Sequence, residues 1–165
     1  MYPFARVFAR LAAATPVIVR LIVGGMMFVH GLDKIGSGPT GFGEFLGSQL
    51  GLPAGVFLGW VVTLLELVGG AMLVVGVLSR VIALLMTIEL IGAIVLVTGE
   101  RGLIGAESVG FERDLAYISG FIVVLLLGPG KPSLDHLLGL ERAVPAVTPV
   151  DIDVTDASTA RPDAL

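Results

Sequence analysis

A chain of 165 residues that is 55% hydrophobic and 15% charged, with a mean hydropathy of +0.97, is too apolar for an ordinary soluble domain, whose apolar share is about 45 to 50%. It contains no cysteine, which excludes disulfide exchange, thiolate catalysis and cysteine-held zinc or iron–sulfur centres. The net charge of −4 argues against a nucleic-acid partner, which needs a basic face to neutralise phosphates.

Residues 1–14 (MYPFARVFARLAAA) place Arg6 and Arg10 four apart, with Phe4, Val7, Phe8 and Leu11 at helical spacing, and predict a basic amphipathic helix lying on a membrane surface. The first span is expected from Pro16 to about Leu32, closed by Asp33, Lys34 and the Gly36, Gly38, Pro39 cluster. Phe42, Phe45, Leu46 and Leu50 then fall on one helical face, which predicts a short interfacial helix between residues 39 and 53. A second span runs from Pro53 to Leu78, and a tight turn at Ser79 and Arg80 leads directly into a third that ends near Gly99. So short a connection makes those two helices antiparallel neighbours. The last apolar run, residues 115–127, is too short to cross a bilayer alone, so its helix must reach back through Glu112, Arg113 and Asp114 before Gly128, Pro129 and Gly130 end it. SLDHLLGL forms a brief amphipathic element.

The expected architecture is therefore all-α, a bundle of four transmembrane helices over residues 15–140, followed by a disordered acidic tail over 141–165 that has almost no large apolar side chains. Counting Lys and Arg beside the spans puts Arg6, Arg10, Arg80, Lys131 and Arg142 on one side and Lys34, Arg101 and Arg113 on the other. The excess of positive charge points both termini into the cytoplasm.

Arg20, Glu66 and Glu89 sit inside apolar runs, where an ionised side chain near a helix centre costs about 2.5 to 3.5 kcal/mol on insertion scales. Gly59, Thr63 and Gly70 share the Glu66 face, and Gly24 and Gly31 the Arg20 face. Small residues let helices approach closely, so the expectation is an interior cluster of Arg20, Glu66 and Glu89. A second, outer cluster is expected where His30, Asp33 and Lys34 end the first span and Glu112, Arg113 and Asp114 begin the fourth. The bland reading is that such pairs only fix helix register, and that His30 is an interfacial side chain. The two histidines, His30 and His136, fall on opposite membrane faces, which argues against paired-histidine haem ligation and a histidine-rich metal site.

The stretches RLIVGGMMFVHGLDKI (20–35), ELVGGAMLVVGVLSR (66–80) and FERDLAYISGFIVVLLLGPGKPSLD (111–135) together resemble the DoxX family of small bacterial four-helix membrane proteins. Its polar positions fall here on Arg20, His30, Lys34, Glu66, Arg80, Glu112 and Asp135. A histidine carried by relatives in the third loop has no counterpart in GERGLIGAESVGFERD, so a loop-borne ligand is not carried over. The resemblance implies a plasma-membrane protein associated with respiratory or redox systems, including a quinone-linked oxidoreductase. The expected role is an accessory or non-catalytic membrane subunit that works with a soluble or membrane redox protein and a quinone. The alternatives are a scaffold that recruits soluble redox partners and, ranked lowest for want of an inverted repeat, a small transporter. Homo-oligomerisation is left open.

Overall fold

The computed structural model of the protein describes Phe8 and residues 11–105 and 109–141, and every regular element among them is helical. Four long helices run back and forth: α1 (Thr15–Ser37), α3 (Gly55–Val75), α4 (Ser79–Arg101) and α5 (Glu112–Leu127). Two short ones accompany them, α2 (Pro39–Ser48) after α1 and α6 (Leu134–Leu137) near the end. The surface helix expected at residues 1–14 falls mainly, and the tail expected at 141–165 almost wholly, outside the described residues.

Helices α1, α3 and α4 are long and apolar enough to cross a membrane; 21 residues already span about 31 Å at about 1.5 Å per residue. The polarity of the bundle is that of a molecule in lipid. Ile22, Phe57 and Val95 are 57%, 67% and 73% exposed, whereas Arg20, Thr63, Glu66, Thr98 and Asp114 are buried. The core is built from Val23 and Met27 of α1, Leu73 of α3, Met86 of α4 and Phe121 and Val124 of α5.

Three departures from the expected elements matter. Helix α1 does not stop at Leu32 but runs on to Ser37, because Asp33 and Lys34 are tolerated in a helix and the break waits for Gly38 at φ 92°. The α3–α4 turn lies at Gly76–Leu78, where Gly76 and Leu78 are both left-handed, so Ser79 and Arg80 belong to the first turn of α4. Finally, α3 and α4 each contain one wide π turn, at Leu65–Gly69 and Ile94–Thr98. The fourth helix does reach back to Glu112, as its short apolar run requires.

Helix α1 lies close against α3 through glycine. A Cβ on Gly31 would strike the backbone of Leu67, one on Gly70 the backbone of Phe28, and one on Gly24 the side chain of Leu73. Helix α2 is seated on α3 in the same way, with Gly43 against Val56 and Gly59 against Gly43. These contacts set the register that assigns partners to the buried charges.

Candidate functional site

With Gly31 opposite Leu67, the extra turn of α1 carries Lys34 to the level of Glu66. Lys34 Nζ donates to Glu66 Oε1 at 2.5 Å and stands 4.8 Å from the centre of the Phe42 ring, so one ammonium ties α1 to α3 and α2. The side chain of Glu66 is 5% exposed, and its Oε2 has no hydrogen-bond partner among the described residues. A buried acceptor in that condition costs about 1 to 3 kcal/mol, more for a charged group. Glu66 lies within the π turn of α3, the kind of local widening found often at functional sites.

A cavity of about 190 Å³ adjoins this pair, and Glu66, Lys34, His30, Glu89, Asp114 and Tyr117 all line it. His30 Nε2 of α1 is 3.4 Å from Tyr117 Oη of α5, with the rings edge to face. Asp114 is fully buried; it accepts from Thr98 Oγ1 at 2.7 Å and from the Arg113 guanidinium at 3.3 Å. Thr98 closes the π turn of α4, so a π turn flanks the cavity on each of two helices. Glu89 Oε2 is shielded and, like Glu66 Oε2, has no partner among the described residues. Beside the cavity lies an apolar groove of about 200 Å³ that shares Phe42, Glu89, Ala93 and Val97 with it.

The expected interior cluster is thus redistributed. Glu66 and Glu89 do face one cavity, but Arg20 lies at the opposite end of the bundle, beside Gly76, which ends α3 ten residues on from Glu66. At about 1.5 Å per residue that is about 15 Å, beyond the reach of an arginine. Arg20 is buried and donates from Nη2 to the carbonyl of Pro132 at 2.9 Å. The expected outer cluster gains His30 and Lys34, whereas Glu112 is exposed and makes no polar side-chain contact among the described residues. One position changes a helical side chain's direction by about 100°, so of the residues expected there Arg113 and Asp114 line the cavity while Glu112, like the exposed Asp33, does not.

At the Arg20 end, Asp135 is buried and its carboxylate accepts from the amides of Leu78 (2.6 Å) and Ser79 (2.8 Å) at the start of α4. The Asp135 amide donates to the Gly76 carbonyl at 2.8 Å. Arg80 donates to Glu141 at 2.5 Å and to the carbonyls of Leu125 and Leu126 that end α5.

The DoxX family profile matches residues 15–99, half of the chain. An uncharacterized membrane protein of Mycobacterium tuberculosis is 32% identical over 133 residues, covering 74% of this chain and 80% of the relative. The chain belongs to the DoxX family. A Bacillus subtilis relative named "Putative oxidoreductase CatD" is 40% identical over 80 residues, 48% of this chain and 57% of that protein, so the match spans less than two thirds of CatD. No solved structure matches.

In space, the polar positions expected from the resemblance separate: Arg20, Arg80 and Asp135 lie around the α3–α4 turn, His30, Lys34 and Glu66 line the cavity, and Glu112 joins neither set. Asp114 belongs to the outer cluster expected from the sequence, whereas Thr98 and Tyr117 carry no such signal in it.

Proposed function

We propose that this protein is a membrane subunit of a quinone-linked oxidoreductase system in the plasma membrane, with both termini in the cytoplasm and the cavity as the site for a quinone headgroup. The observation that carries this reading is Glu66, held by Lys34 through one carboxylate oxygen and presenting the other, unpartnered, beside a cavity that also holds Glu89. Ionisable groups enclosed in a membrane bundle are functional by default, because burying them is costly. The family membership and the name of the Bacillus relative favour a redox setting.

The residues fit the group. Lys34, His30 and Tyr117 are hydrogen-bond donors suited to ring carbonyl oxygens, and Glu66 and Glu89 are carboxyl groups that can give up and regain a proton. A quinone, when bound, supplies a two-electron, two-proton couple, with the electrons delivered by a redox partner. The chain's own part is to position the ring, exclude lipid tails from it and exchange protons with it.

Native mass spectrometry of protein extracted from its own membrane tests this reading, paired with quinone reduction in membrane vesicles. Quinone is expected on the wild-type protein and absent after Glu66→Gln, with reduction lowered at least tenfold. Wild-type protein free of quinone, with reduction indifferent to Glu66→Gln, overturns it.

A further inference from the structure

The apolar groove differs in character from the polar cavity but joins it in space. Leu46 and Leu52, in and after α2, face Ile88 and Leu96 of α4 across it, with Leu58 and Val62 of α3 also lining it. It meets the cavity at Phe42, Glu89, Ala93 and Val97. An apolar channel therefore ends on a carboxyl group whose Oε2 has no partner among the described residues, and Glu66 Oε2 stands in the same condition beyond it. Two unsatisfied acceptors in a low-dielectric setting favour a hydrogen-bond donor and disfavour a second anion. The groove surface is overwhelmingly aliphatic, which suits a chain and not a polar solute.

From this we infer that the cavity and groove together bind a single-chain amphiphile whose hydroxyl-bearing head donates to Glu89 and Glu66 while its chain lies along the groove between α2 and α4. Entry is sideways from the bilayer. The inference rests on the cavity assigned above to a headgroup, and it narrows the occupant: the head carries O–H donors, as in a phenol or a reduced, quinol-type ring, and an acyl carboxylate is refused. Glu89 is the residue that sorts heads, because it stands where groove and cavity join.

Gly92 offers a clean way to close the groove. It lies on α4 in the groove lining, and a Cβ there would meet nothing within 4 Å, so a larger side chain can start there without striking a neighbouring helix. The test uses full-length protein in lipid nanodiscs and 4-dodecylphenol with a photoreactive diazirine at the end of its chain. Saturable labelling is expected in the groove, at or beside Leu46, Leu52 and Leu96, competed by unlabelled 4-dodecylphenol and at least tenfold less well by dodecanoate. Gly92→Trp, or Leu96→Trp if that variant does not fold, is expected to lower the labelling at least tenfold, and Glu89→Leu to abolish the preference for phenol over carboxylate. Unsaturable labelling spread over lipid-facing positions such as Ile22, Phe57 and Val95, or groove labelling unchanged by either tryptophan, overturns the inference. A quinol with a decyl chain, kept reduced, serves as a second competitor. If it fails to compete while dodecylphenol labelling stands, the quinone reading falls and the amphiphile site remains; if labelling is unsaturable while quinone still co-purifies, the reverse holds.

Discussion

The two ends of this bundle both bury charge, but they hold it in different ways. At the Arg20 end the partners are mostly backbone: Pro132 O for Arg20, two amides at the start of α4 for Asp135, and carbonyls near the end of α5 for Arg80, which also pairs with the Glu141 side chain. At the Lys34 end the partners are side chains, Lys34 with Glu66, Thr98 with Asp114 and His30 with Tyr117. A charge that holds backbone cannot change partner without unravelling a helix end. One held by another side chain can be traded for a ligand. Family positions alone do not tell a staple from a site; the kind of partner does.

The largest effect that tests this contrast is expected from Asp135→Ala, which removes both acceptors from the α4 amides at a cost of about 4 kcal/mol, taking hydrogen bonds to charged groups at about 1.5 to 3 kcal/mol each. Thermal or SDS-induced unfolding in detergent measures it, and because the lost partners are backbone groups, no second side-chain substitution should restore stability. Lys34→Met comes next at about 3 kcal/mol, the usual consequence of leaving a buried charge without its partner. Here a second change should rescue: the Lys34→Met, Glu66→Gln double variant is expected to recover most of the loss, since removing both members of a buried pair is often neutral. A double variant as unstable as Lys34→Met alone would break the comparison. Thr98→Val deprives Asp114 of a hydroxyl donor and should cost about 1 kcal/mol in the same unfolding assay. Glu112→Gln should lie within about 0.5 kcal/mol of wild type; a larger loss would return Glu112 to the cluster.

Much of the fold was legible because the solvent is lipid. Runs of apolar residues, the glycines punctuating them and the backward extension of the last helix to Glu112 could all be read from hydropathy and helix length. Gly24, Gly31, Gly59 and Gly70 also marked the close faces, and a Cβ at each of them would meet a neighbouring helix. What hydropathy does not supply is register. With the apolar span ending near Leu32 and Lys34 only closing it, Arg20 is the one cation inside the apolar run, so the sequence pairs Glu66 with the wrong end of α1. One further turn of helix, together with the seating of Gly31 on Leu67, reverses that assignment. The π turns at Leu65–Gly69 and Ile94–Thr98 have no residue signature in these stretches. Tyr117 reads as one more amphipathic aromatic in an apolar run until α5 is placed beside α1.

Helix α5 has only 16 residues, the first three of them charged. Its apolar stretch, residues 115–127, rises about 20 Å at about 1.5 Å per residue, against a hydrocarbon slab of about 30 Å. Its neighbours α1 and α4 each have 23 residues. A bilayer around the bundle is therefore expected to thin along the α5 flank and keep its full depth elsewhere, a deformation costing fractions of a kcal/mol per Å. Short-tailed lipids should gather on the α5 flank, giving the molecule a front and a back within the plane of the membrane.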